Sequence, residues 1–106
     1  MSEWVDVARA EDISAGKPVH VDIDGTGIAV FKLGHDFYAI EDVCTHDGGK
    51  LTGGCVENDV IICPRHGARF SIRTGEALSA PAYEPTATFP VRIANGMVQV
   101  RDDRWD

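Results

Sequence analysis

Four residues in two short runs could do chemistry here: Cys44-Thr45-His46 and, after sixteen intervening residues, Cys63-Pro64-Arg65-His66. Each run puts one thiolate and one imidazole on a single tight loop. Asn58-Asp59 supplies a turn about which the chain between them can fold back as a hairpin, so the two loops can converge on one site. Structural zinc accepts two thiolates and two imidazoles, but its usual spacing separates the ligands into a cysteine pair and a histidine pair. Here each loop mixes the types. A binuclear 2Fe–2S cluster accounts for the mixing, because two irons lie side by side: the first position of each loop reaches one iron and the last position reaches the other. On this reading Cys44 and Cys63 hold the inner iron and His46 and His66 the outer, with a colourless zinc-binding adaptor as the alternative.

The other chemically capable residues have plainer readings. Cys55, in Gly53-Gly54-Cys55-Val56, matches neither ligand position and is expected to be a packed or bystander thiol. His20 lies between Val19 and Val21 in an alternating stretch and His35 lies beside Gly34, so both are read as solvent-edge residues. Arg65 inside the second loop and Lys50 just beyond the first read equally as partner contacts and as solvated charges, and Trp105 in the acidic tail reads either as docking on the domain or a partner or as part of a mobile tail.

The elements that must position the loops are strands. Apolar residues alternate with period two and are interrupted every eight to twelve residues by Gly, Asn and Asp, the pattern of short antiparallel strands. Strands are predicted at 4–7, 18–23, 27–33, 36–40, 59–63, 68–72, 86–93 and 97–101. Turns are predicted at 24–26 and 34–36, and a helical turn each at 12–15 and near Glu76. Asn95-Gly96 supplies both positive-φ positions of a type I′ hairpin. That turn pairs Ala94 with Met97, Ile93 with Val98, Arg92 with Gln99 and Val91 with Val100, with the Ile93 and Val91 face in the core. Between about 42 and 81 the composition shifts: all three cysteines, two of the four histidines and more than half of the glycines lie there. Such a stretch buries little apolar surface and needs a metal staple of its own.

Composition narrows the function classes. The chain has 106 residues, 43% hydrophobic and 25% charged, which suits one globular domain. Its net charge of −7, with no basic stripe, disfavours nucleic acid or an anionic membrane and favours a basic protein surface as partner. The first residues lack the basic start and apolar run of a signal peptide and no segment is long enough to span a membrane, so a cytoplasmic protein is expected. An odd number of cysteines in a reducing compartment points to metal binding rather than disulfides.

The runs Cys-Thr-His-Asp-Gly-Gly at 44–49 and Cys-Pro-Arg-His-Gly-Ala-Arg-Phe at 63–70 resemble the two cluster loops of Rieske proteins. Arg73-Thr-Gly-Glu-Ala-Leu and Ala80-Pro-Ala-Tyr resemble the continuation in small bacterial Rieske-type ferredoxins, including those of ring-hydroxylating dioxygenase systems. The resemblance covers nearly the whole chain. It implies an all-β Rieske fold, a single domain over 1–106 with an antiparallel β-sandwich base and an inserted cluster-binding subdomain at about 42–81. It also implies one Rieske-type 2Fe–2S cluster on Cys44, His46, Cys63 and His66, with the imidazoles nearest solvent. The implied function is that of a soluble, monomeric one-electron carrier, itself no enzyme, between a flavin-dependent NAD(P)H reductase and a terminal oxygenase. The small Rieske subunit of an assimilatory nitrite reductase and a Rieske protein associated with iron–sulfur assembly are the alternatives. Respiratory Rieske proteins join the two loops by a disulfide at the positions of Gly49 and Arg65, and carry Ser and Tyr hydroxyls at those of Ala68 and Phe70. Losing those donors to sulfur implies a potential toward the low end of the roughly −150 to +300 mV Rieske range.

Overall fold

The computed structural model describes residues 3–104, so the docking roles considered for Trp105 lie outside the described residues. Among the described residues ten strands form, in chain order: β1 (Val5–Arg9), β2 (Val19–Ile23), β3 (Thr26–Leu33), β4 (Asp36–Glu41), β5 (Cys55–Glu57), β6 (Val60–Ile62), β7 (Arg69–Ser71), β8 (Thr88–Phe89), β9 (Val91–Ala94) and β10 (Met97–Val100). They pair antiparallel into three sheets, ordered β1-β10-β9, β2-β3-β4-β8 and β5-β6-β7. The all-β, antiparallel architecture expected from the sequence is what the described residues adopt.

The tight turns fall where the residues allow left-handed backbone. Asp24-Gly25 and Asn95-Gly96 have φ of 51° and 88°, and of 53° and 79°, which makes both two-residue reversals cheap for these residue types. The C-terminal hairpin takes the predicted register, Ala94 against Met97 through Val91 against Val100. Its burial differs from expectation: Val98 is fully buried, whereas Ile93 opposite it is 52% exposed. β9 is the edge of its sheet, and Ile93 overhangs the rim of the core.

Three other expectations are corrected. The strand predicted at 86–93 is two strands, because Pro90 has no N–H to continue a ladder; β8 pairs with β4 and β9 with β10. The helical turn expected at 12–15 is a 3-10 turn at Ala10–Asp12, while the one expected near Glu76 lies just before it, where Gly75 N–H donates to Ser71 O at 2.8 Å across the turn at 72–74 and Ala77 then bridges Phe70. β5, built from Cys55, Val56 and Glu57, was not anticipated.

The β2-β3-β4-β8 sheet is apolar on both faces. Ile28, Val30 and Ala39 look toward one core, shared with Ile13, Phe89, Val98 and Val100. Their neighbours Ala29, Phe31 and Ile40 look the other way, into a second core with Cys44, Leu51, Ile61, Cys63, Ala68, Phe70, Ile72 and Ala82. Successive strand side chains point to opposite faces, so the unbroken buried run Ile28-Ala29-Val30-Phe31 serves two cores at once. That second core is the floor on which the two Cys/His loops sit.

Candidate metal centre

The two loops repeat one piece of backbone geometry. Cys44 N–H donates to Gly49 O at 2.7 Å and Gly48 N–H to Cys44 O at 2.7 Å; Cys63 N–H donates to Ala68 O at 2.7 Å and Gly67 N–H to Cys63 O at 3.0 Å. The glycine four residues after each cysteine has a φ near that of left-handed helix, 76° at Gly48 and 74° at Gly67. A side chain at either position would strain the reversal, so the Cys…Gly spacing of both runs is a structural requirement. The first loop leaves the end of β4, and the second joins β6 to β7. A hairpin at Asn58, φ 55°, reverses the chain between β5 and β6 and brings the loops together, as the spacing suggested.

Both ends of the first loop are pinned by Asp42. Its carboxylate accepts from Leu51 N–H at 2.6 Å, Thr52 N–H at 2.9 Å and the Thr52 hydroxyl at 2.6 Å, and lies 2.6 Å from His20 Nδ1. Burial alone would push this carboxyl up; the bonds from Thr52, His20 and Leu51 outweigh it and hold it below the usual carboxylate range. His20 is therefore a partner of Asp42, not a ligand. Thr45 anchors the loop on its outer side by donating to Glu84 O at 2.7 Å.

Within this frame the four predicted residues separate by depth. Cys44 and Cys63 are buried, at 0% and 2% exposure. The His46 and His66 rings are exposed and meet edge to face, with centroids 5.3 Å apart. The two sulfurs lie within 4.8 Å of each other and of an Asp47 oxygen, a group that neither imidazole joins. One tetrahedral ion would draw all four donors around one centre. Two buried thiols and two exposed imidazoles that do not join their group suit two irons rather than one, so the donor chemistry fits a 2Fe–2S cluster. Burial pushes the Cys44 thiol up, and the backbone N–H groups of His46 and Asp47 work against that shift by favouring the thiolate a metal needs.

Asp47 and Arg65 are the residues that sequence reasoning missed. Arg65 reads from the sequence as a partner contact or a solvated charge, yet its side chain turns inward across the loops. Nε donates to Asp47 Oδ2 at 2.6 Å, Nη2 to Asp47 Oδ1 at 3.1 Å and to Cys63 Sγ at 3.3 Å, and Nη1 to Lys50 O at 2.9 Å. It lies so close over Gly49 that a Cβ there would fall 2.4 Å from Arg65 Cζ. Beside this guanidinium the Asp47 carboxyl is held far below the usual carboxylate range. The signal in the sequence was opposite charge beside each histidine, one residue after His46 and one before His66. Cys55 is exposed on β5, so it is not the packed thiol that was one of its two expected readings, and among the described residues it joins no group of metal-binding side chains. His35 is exposed at its turn.

Comparisons with known proteins agree with this geometry. The model of the Rieske [2Fe-2S] domain matches residues 3–90. The ferredoxin component of the naphthalene 1,2-dioxygenase/salicylate 5-hydroxylase systems of a Ralstonia species is 36% identical over 98 residues, covering 92% of this chain and 94% of its own. Ferredoxin CarAc of Metapseudomonas resinovorans is 37% identical over 102 residues, covering 95% of each chain. Among solved structures, a chain of the complex of reduced oxygenase and oxidized ferredoxin in carbazole 1,9a-dioxygenase superposes with a TM-score of 0.87 at 39% identity, covering 92% of this chain and 91% of that one. These findings set aside the zinc adaptor. The chain belongs to the Rieske [2Fe-2S] family, within its ferredoxin branch, and its cofactor is one Rieske-type 2Fe–2S cluster.

Proposed function

We propose that this protein is a monomeric, cytoplasmic carrier of single electrons, itself no catalyst, which accepts them from a flavin-dependent NAD(P)H reductase and delivers them to the terminal oxygenase of a ring-hydroxylating system. Cys44 and Cys63 hold the buried iron of its cluster and His46 and His66 the outer one, and residues 42–81 form the unit that carries it. When bound, the cluster supplies a site that gains and releases one electron. The protein excludes water from the thiolate side by packing Leu51, Ala68 and Phe70 into the core that contains both cysteines. It leaves the imidazole side open.

The observation that carries this reading is that asymmetry: sulfur donors fully buried, imidazole rings at the surface. An electron can then cross to a docked partner through the histidine edge without either protein opening. The relatives named as ferredoxin components of dioxygenase systems support the same assignment. No described helix is long and apolar enough to cross a membrane. The test is reconstitution of the holoprotein with a purified NADH-dependent reductase and a ring-hydroxylating oxygenase of the naphthalene or carbazole type. Product formation that depends on adding this protein is expected. A cluster that the reductase reduces but that passes no electron to either oxygenase would overturn the assignment.

A further inference from the structure

None of the three cysteines is paired, and no disulfide spans the two loops. The cross-connection between them is Arg65. Its planar fork makes two bonds to Asp47 on the first loop, at 2.6 and 3.1 Å, while Nη1 closes on Lys50 O at 2.9 Å. One side chain of the second loop thus grips both a side chain and a backbone carbonyl of the first. Only a guanidinium has enough fixed donors to do this. The same Nη2 that reaches Asp47 also donates to Cys63 Sγ at 3.3 Å, a charged donor directed at a sulfur.

We propose that Arg65 has two separable roles: it clamps the cluster loops together, and through Cys63 its charge makes the cluster easier to reduce, with Asp47 as the counterweight that limits the effect. The inference rests on the assignment of Cys63 as a ligand. Its physical basis is the charge change. Adding one electron makes the cluster and its thiolates one unit more negative, so a positive donor on a ligand sulfur stabilises the reduced form more than the oxidised one. Asp47, whose carboxylate accepts from the same guanidinium and has an oxygen within 4.8 Å of both sulfurs, acts with opposite sign. Arg65 is thus a positioning residue with an electrostatic effect on the cofactor, and the two parts respond differently to substitution.

The test measures midpoint potential by protein-film voltammetry, and cluster loss under a ferrous chelator, in holoprotein variants. Arg65→Gln should lower the equilibrium constant for reduction about three- to tenfold, which is about 30–60 mV for a one-electron couple, and should speed cluster loss. Asp47→Asn should also speed cluster loss yet shift the potential upward. Arg65→Lys keeps the charge without the fork, so it should retain more of the potential than of the clamp. Gly49→Ala leaves both charges in place but pushes its Cβ against the guanidinium, and should move the potential toward that of Arg65→Gln. A merely structural Arg65 predicts faster loss in every variant with no opposition of sign. Equal or same-direction shifts in Arg65→Gln and Asp47→Asn, with both fully loaded, would overturn the electrostatic role; unchanged cluster loss in both would overturn the clamp. Failure of the ligand assignment reads differently: Cys63→Ser would then still load a cluster of unaltered spectrum.

Discussion

At the scale of single residues, the sulfur environment decides both whether the cluster forms and where its potential lies. Cys44→Ser and Cys63→Ser remove buried donors from the second core, so each should abolish the cluster. Cys55→Ser changes an exposed thiol on β5 and should leave iron and sulfide content intact. Iron and sulfide assays on the three purified variants check this, and loss of the cluster in Cys55→Ser would contradict it. Ala68 and Phe70 share the core of the two cysteines and are fully buried. A hydroxyl added at either position must find a sulfur or stay unsatisfied at a cost of about 1–3 kcal/mol. Ala68→Ser and Phe70→Tyr should each raise the midpoint potential by about 50 mV, close to a tenfold change in a one-electron equilibrium. Voltammetry is to be read beside thermal stability: a lower melting temperature with no rise in potential would show that the new hydroxyl misses the sulfur. The convergence of the two Cys/His loops was legible because residue type, spacing and the glycine that closes each reversal mark them in the sequence. The Arg65–Asp47 pair left only the opposite charges beside the two histidines as a trace, because the contact itself forms only where the two loops meet.

At the scale of elements, the decisive joint is the end of β4. Asp42 ties together β2 through His20, the start of the first loop, and the segment at Leu51 and Thr52 that follows it. Its side chain is fully enclosed, so leaving those donors with a neutral acceptor of poorer geometry is expensive. Asp42→Asn should lower stability by about 3 kcal/mol near neutral pH. The pH dependence has a fixed sign. The folded protein holds this carboxyl below its usual range, so the unfolded chain takes up a proton first as pH falls. The stabilisation is therefore fully present above a pH of about 4 and is withdrawn as pH drops through the lower, folded value. Melting curves from near neutral pH into acid should show a steep decline for the unaltered protein and a shallower one for Asp42→Asn; parallel declines would contradict the role. Most strands and the turn at Asn95-Gly96 were readable from alternation and turn chemistry, down to the register. The three-residue strand β5 was hidden in the glycine-rich stretch after the first loop, and the break at Pro90 was masked by apolar residues that continue on both sides of it. Both are cases where pairing with a distant strand, rather than the local pattern, sets the boundary.

At the scale of the whole molecule, one sheet with two apolar faces joins the core of the base to the core beneath the two Cys/His loops, and the chain as a whole is acidic while the two imidazoles are exposed. A chain of net charge −7 that docks on a basic partner surface is steered by long-range attraction. Electron-transfer rates to the oxygenase should fall as salt is raised toward about 0.15 M, where the Debye length has shrunk to about 8 Å. Stopped-flow rates that stay level or rise across that series would indicate an apolar contact instead. The charge and the all-β class were legible from composition and periodicity. The two-core arrangement was not, because a run such as Ile28-Ala29-Val30-Phe31 reads equally as one buried strand whichever faces it covers. The central claim is that two buried thiolates and two surface imidazoles hold one cluster. Pulsed electron paramagnetic resonance on the reduced holoprotein, with nitrogen-15 histidine and natural-abundance nitrogen elsewhere, tests it most directly. The account predicts two strongly coupled histidine nitrogens bonded to one iron, whereas a reduced cluster showing no directly bonded histidine nitrogen would contradict it.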